Sequence, residues 1–139
     1  MFKNIMLAYD GSKHALRAAE KAAFLAENTE GASITIVYVV DSATSKEDVL
    51  HFASKEVINE TRRKRLKTVE DLLEEKGVSY KHEILHGEAP EQIVGFANSQ
   101  EFDLVVVGSR GLNGLQEMVL GSVSHKVAKR VKSPVMIIK

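Results

Sequence analysis

Leu104-Val105-Val106-Val107-Gly108-Ser109-Arg110-Gly111, followed after nine residues by Gly121-Ser122-Val123-Ser124, is the passage that decides the architecture. Residues 104–107 read as a strand buried on both faces, with Asp103 before it and Gly108 closing it. From Val123 to Val131 the apolar spacing becomes helical. A strand that passes through a paired-glycine loop into a Gly-Ser helix start forms a phosphate cradle. Gly108 and Gly111 are expected to use positive φ so that backbone N–H groups close on an anion, and Gly121 to do the same ahead of the helix. Ser122 and Ser124 add hydroxyls beside the unpaired amides of the first helical turn. Each of these residues alone is ordinary turn or cap punctuation. Two anion-friendly segments flanking one stretch favour the functional reading.

Working outward, the chain alternates strand and helix. Residues 3–9 form a short apolar strand, and residues 13–28 an amphipathic helix capped by Ser12, with Ala15, Ala18, Ala19, Ala22 and Leu25 near one face. The β-branched run 33–40 reads as a buried parallel strand closed by Asp41. Residues 46–76 as one helix would reach about 45 Å, too long for a domain of this size. A flexible lid or broken helix is therefore expected over residues 42–55. Residues 79–85 alternate like an edge strand, and Pro90 opens a helix to about residue 99. Helix 122–132 and strand 135–138 complete the pattern.

Five strands separated by helices predict an α/β fold with a single doubly wound five-stranded parallel sheet in the order 3-2-1-4-5. In that order the progression reverses between strands one and four, and the loops after Tyr9 and Val107 diverge to leave a crevice. The glycine passage lies on one of those loops and Asp10-Gly11-Ser12 on the other. Asp10 can accept hydrogen bonds from a ribose diol or an adenine amine, or it can cap the following helix. Both roles stay open on the residues alone.

Composition narrows the classes further. A chain of 139 residues with 44% hydrophobic content suits one domain with one core. Nineteen basic and nineteen acidic residues cancel, so no global field favours nucleic acid or an anionic membrane. Cysteine is absent, which removes disulfides and thiolate metal sites and suits a cytoplasmic location. No apolar run approaches the length that spans a bilayer, and residues 5–9 are too short for a signal-peptide core.

The spacing Gly108, Gly111, Gly121, Ser122 is similar to the G-x2-G-x9-G-[S/T] signature of the ATP-binding branch of the universal stress protein family. The resemblance runs over residues 1–139 as one such domain, outside a variable region around residues 42–56. Ile5 to Asp10, Ile34 to Asp41, His86-Gly87-Glu88-Ala89-Pro90 and the closing Ser133 to Ile138 resemble the family's strands and links. It implies a Rossmann-like fold of the adenine nucleotide alpha hydrolase type. The implied function is an ATP-binding, nucleotide-dependent regulator or sensor in the stress response. ATP or AMP is the expected ligand, with Mg²⁺ held through phosphates and no metal site built from side chains. Carried over residue by residue, Asp10 contacts the nucleoside, the main chain at Val39 meets the adenine, and Ala8 and Tyr9 line the base. Gly108, Arg110, Gly111, Gly121, Ser122, Val123 and Ser124 surround the phosphates. The family dimerises through its closing strand, which implies a homodimer through Val135, Met136, Ile137 and Ile138, with regulatory protein partners beyond it.

Other nucleotide motifs do not fit. A dinucleotide fingerprint needs G-x-G-x-x-G after strand one, which Asp10-Gly11-Ser12 lacks, although Asp41 supplies the distant acid. A Walker loop needs Gly-Lys-Ser/Thr, and Gly121-Ser122-Val123 has no lysine. Of the cationic stabilisers that hydrolysis wants, only Arg110 and phosphate-bound Mg²⁺ are on offer, so turnover is expected to be weak or nil. A slow ATPase of the same fold is the alternative, and a structural dimer with an empty crevice a third reading. His14 and His125 read as surface residues, and His51, His82 and His86 show no ligand spacing. The basic run 62–67 reads as a solvated face paired with Glu60, Glu70 and Asp71.

Overall fold

The computed structural model describes residues 1–40, 55–111 and 121–139. The lid or broken helix expected over residues 42–55 lies outside the described residues, save for its last position. Five strands, β1 (Asn4–Ala8), β2 (Ser33–Val40), β3 (Ser79–His86), β4 (Leu104–Gly108) and β5 (Val135–Ile138), form one sheet in the order β3-β2-β1-β4-β5. Every pairing is parallel. Among the described residues four helices connect them: α1 (Lys13–Glu27), α2 (Lys55–Glu75), α3 (Ala89–Ser99) and α4 (Ser122–Arg130). The expected doubly wound α/β sheet and its strand order are observed.

The two-residue period of β1 sorts the core into two layers. Ile5, Leu7 and Tyr9 face α1 and α2, where they meet Ala15, Ala18, Ala19, Ala22, Leu66, Val69 and Leu73. Met6 and Ala8 face the other way and pack with Val37, Val105, Val107, Ile93 and Val127 under α3 and α4. With both faces covered, β1 and β4 need continuous apolar runs, which is what their sequences supply. The alanines of α1 bury Ala23 and Ala26 as well as the positions expected, whereas Leu25 is half-buried.

Local chemistry sets the ends of the helices. The Ser12 hydroxyl accepts from the Ala15 N–H at 3.1 Å, a cap that contributes about 1 kcal/mol. At the end of α2, Gly77 takes φ +68°, its N–H donates to the Glu74 carbonyl at 3.0 Å, and the Val78 N–H donates to the Leu73 carbonyl at 2.9 Å. That pairing is the Schellman stop, and it turns the chain directly into β3. Pro90 stands in the first turn of α3, where a missing N–H costs nothing. Among the described residues no helix is long and apolar enough to cross a membrane.

Candidate nucleotide crevice

The order of the sheet reverses between β1 and β4, and at their C-terminal ends the two following loops meet instead of standing apart. A Cβ placed on Gly111 would stand 2.6 Å from Asp10 Oδ2, so the carboxylate packs against bare glycine backbone. The other oxygen, Oδ1, accepts from the Ser12 N–H at 2.8 Å and closes a tight turn around Gly11, which has φ +86°. Asp10 thus fixes its own turn with one oxygen and faces the glycine loop with the other.

Ser109 ties the two halves of the glycine passage together. Its carbonyl accepts from the Gly121 N–H at 2.7 Å and from the Ser124 hydroxyl at 2.9 Å, and its own N–H donates to the Ile138 carbonyl at 2.7 Å. Ser109 is buried, and sequence reasoning passed over it because the groups at work are main-chain ones. Residues 112–120, between the two halves, lie outside the described residues.

The glycines differ from expectation in their reason for being there. Positive φ occurs at Gly11, Gly31, Gly77 and Gly87, not at Gly108, Gly111 or Gly121, and Gly121 has φ −70° and ψ 163°. Their requirement is space. A Cβ on Gly108 would stand 2.9 Å from both the carbonyl carbon and the Cβ of His14, and one on Gly121 would stand 3.2 Å from the Ser109 carbonyl oxygen. The loop lies flat against α1 and against itself, most tightly at Gly108, where a Cβ would meet main-chain atoms of His14.

At the head of α4, the first intrahelical bond runs from the His125 N–H to the Gly121 carbonyl. The amides of Ser122, Val123 and Ser124 lie ahead of that ladder, at the positive end of the helix. Ser122 is exposed and Val123 half-buried, whereas Ser124 is buried with its hydroxyl directed at the Ser109 and Gly121 carbonyls. Ser124 therefore braces the loop through its side chain and presents only its amide.

Ala8 and Val39 share the face of the sheet that carries α4. Tyr9 does not: its side chain turns to the α1 and α2 face and is 4% exposed, leaving its main chain at the end of β1. The Tyr9 N–H donates to the Val37 carbonyl at 2.9 Å. Parallel strands alternate the direction of their polar groups, so Val39, two residues on, turns its N–H and C=O to the same side, past the point where β1 has ended. Val39 thus offers a donor and an acceptor toward the crevice.

The electrostatics of the rim are mixed. Burial, then Arg17 and Arg110, hold His14 below the ordinary imidazole value, with Asp10 pulling the other way. Burial pushes the Tyr9 phenol up to about 12, helped by Asp10 and Tyr38 and opposed by Arg65. Arg65 is a second residue that sequence reasoning missed. Of the basic run, Lys67 pairs with Asp71 and Arg63 with Glu60, as expected of a solvated helix face. Arg65 instead is half-buried, lies over Gly11 and donates from Nη1 to the Tyr38 hydroxyl at 3.2 Å. Among the described residues no group of three or more His, Asp or Glu side chains is placed to hold a metal ion. A polar hollow of about 360 Å³ lies at the opposite end of the sheet, between Glu27, Thr29, Lys76 and Ser79, away from all of these groups.

A doubly wound parallel sheet with a glycine loop at its switch point defines the class of the molecule. The sequence model described as the Universal stress protein family matches residues 1–139, and the chain belongs to that family. It is 36% identical over 150 aligned positions to the universal stress protein YxiE of Bacillus subtilis, with all of both chains covered. Its fold is similar to that of MJ0577 of Methanocaldococcus jannaschii, with a TM-score of 0.84 at 27% identity, covering 100% of this chain and 96% of that one. It is also similar to a universal stress protein family protein of Arabidopsis thaliana solved with AMP bound. There the TM-score is 0.70 at 26% identity, over 99% of this chain and 91% of that one.

Proposed function

We propose that this protein binds ATP in the crevice between the β1 and β4 loops and acts as a nucleotide-dependent regulator in the stress response, with little or no hydrolysis. The observation that carries this reading is the knot at Ser109, which holds Gly108–Gly111 and Gly121–Ser124 against one another beneath the open first turn of α4. Three main-chain amides at a helix N-terminus suit a polyphosphate tail, and Arg110 suits its outer charge. Asp10 takes the nucleoside, and the main chain of Val39 and Tyr9, with the small Ala8, takes the base. The AMP-bound Arabidopsis relative supports an adenine nucleotide as the ligand class. Mg²⁺ would be held through phosphate oxygens. The phosphate end of the signature carries no lysine, which favours holding the nucleotide over cleaving it. In this reading residues 1–139 act as one cytoplasmic domain. It assembles as a homodimer through the half-exposed Val135, Met136, Ile137 and Ile138 of the edge strand β5, and regulatory proteins read its occupancy.

Heating the purified protein and resolving the supernatant by ion exchange tests the reading. Released ATP, or calorimetric binding of added ATP that Gly121→Val removes while the fold survives, is the expected result. Accumulation of ADP from added ATP would move the assignment to the slow ATPase. Absence of any nucleotide binding would overturn it.

A further inference from the structure

Arg65 does something that its place in a basic, helical, largely solvated run does not suggest. Cδ, Cγ and Cβ of Arg65 stand 2.8, 3.0 and 3.4 Å from the point a Cβ on Gly11 would occupy. Its methylenes thus fill the room that a side chain at Gly11 would take, which is how a long cationic side chain covers backbone while its head group reaches elsewhere. The head group is anchored: Nη1 donates to the hydroxyl of Tyr38, whose ring is 1% exposed and fixed in the core. Under those methylenes lies the turn that Asp10 closes on the Ser12 N–H, and the far oxygen of Asp10 abuts Gly111. Tyr38, Arg65, Gly11, Asp10 and Gly111 therefore form one contiguous stack from β2 through α2 to the glycine loop.

We propose that Arg65 is a positioning residue for the nucleotide crevice: from α2 it clamps the Asp10-Gly11-Ser12 turn and so aims the Asp10 carboxylate at the nucleoside. This rests on the nucleotide reading of the crevice given above. Arg65 acts through Asp10 and not by touching the ligand. The clamp has two parts, the methylene stem that presses on Gly11 and the guanidinium that holds the stem in place.

A double-mutant cycle tests the inference. Arg65→Ala should weaken both ATP and adenosine by about tenfold, with Arg65→Met, which keeps most of the stem, losing less. In the Asp10→Ala background the Arg65→Ala loss should vanish, because nothing is left to aim. Equal losses in both backgrounds, or unchanged affinity in Arg65→Ala with a folded protein, would overturn the clamp and leave the nucleotide reading standing. Failure of the unmodified protein to bind ATP or adenosine would overturn both.

Discussion

The glycines that lead into β2 and β3 and those of the loop after β4 are there for different reasons. At the N-terminal ends of β2 and β3, Gly31 and Gly77 have φ +76° and +68°, and nothing lies within 4 Å of where a Cβ would stand. They are conformational stops beside an open polar hollow. At the C-terminal end of β4, Gly108 and Gly111 have no such dihedral, unlike Gly11 and Gly87 after β1 and β3, yet a Cβ on either would strike His14 or Asp10. The first kind shapes one chain segment, and the second lets two distant segments touch. Where a crevice is built for a ligand, the second kind is the informative one.

Substitutions can break that contrast. Gly108→Ala should have the largest effect, since its new methyl meets His14 main-chain and Cβ atoms at 2.9 to 3.0 Å that cannot give way. A loss of about 3 kcal/mol in urea unfolding is expected, and an unmoved midpoint would show that α1 yields. Asp10→Ala should weaken ATP binding by about 2 kcal/mol and cost about 1 kcal/mol in unfolding through the lost bond from the Ser12 N–H. An unaltered calorimetric isotherm would reduce Asp10 to a turn-former. Gly77→Ala should cost about 1 kcal/mol of stability through its left-handed dihedral alone, Gly77→Asn less, and neither should change nucleotide affinity. Equal costs for the two would point to a packing requirement instead.

The smallest effect concerns the stitch at the N-terminal end. Asp103 Oδ2 accepts from the N–H groups of Lys3 and Asn4 at 3.0 and 2.9 Å, and the Asn4 bond above all holds its carboxyl below the ordinary value. A depressed carboxyl contributes stability that is present above the unfolded value of 3.8 and is lost as pH falls through the folded one. Asp103→Asn should therefore lower the unfolding midpoint slightly at neutral pH and converge with the unmodified chain as pH falls below 4, which flattens the acid limb. A parallel acid limb in the variant would remove Asp103 from the account.

Much of this was legible because it is local. Apolar runs long enough for buried strands, a serine before the alanine stripe of α1, and Pro90 ahead of α3 each state their structure within a few residues, and parallel crossovers then restrict the strand order. What was not legible is relational. The glycines of the β4 loop were expected to supply unusual dihedrals, but the atoms that demand them belong to Asp10 and His14, about a hundred positions earlier in the chain. Arg65 looked solvated because its neighbours on α2 are, and only the rotation of α2 over the β1 turn turns it inward. Tyr9 looked like a base-lining residue, yet the period of β1 turns its ring to the opposite face. Ser109 acts through its peptide groups, for which no residue type is a signal.

That last residue couples two events that would otherwise be separate. Ser109 grips the closing strand through its amide and the head of α4 through its carbonyl. The end of β5 and the start of α4 are thus tied to the loop after β4 through one residue. Should a nucleotide and a second subunit engage these two places as proposed, thermodynamic reciprocity requires each to change the other's affinity by one and the same factor.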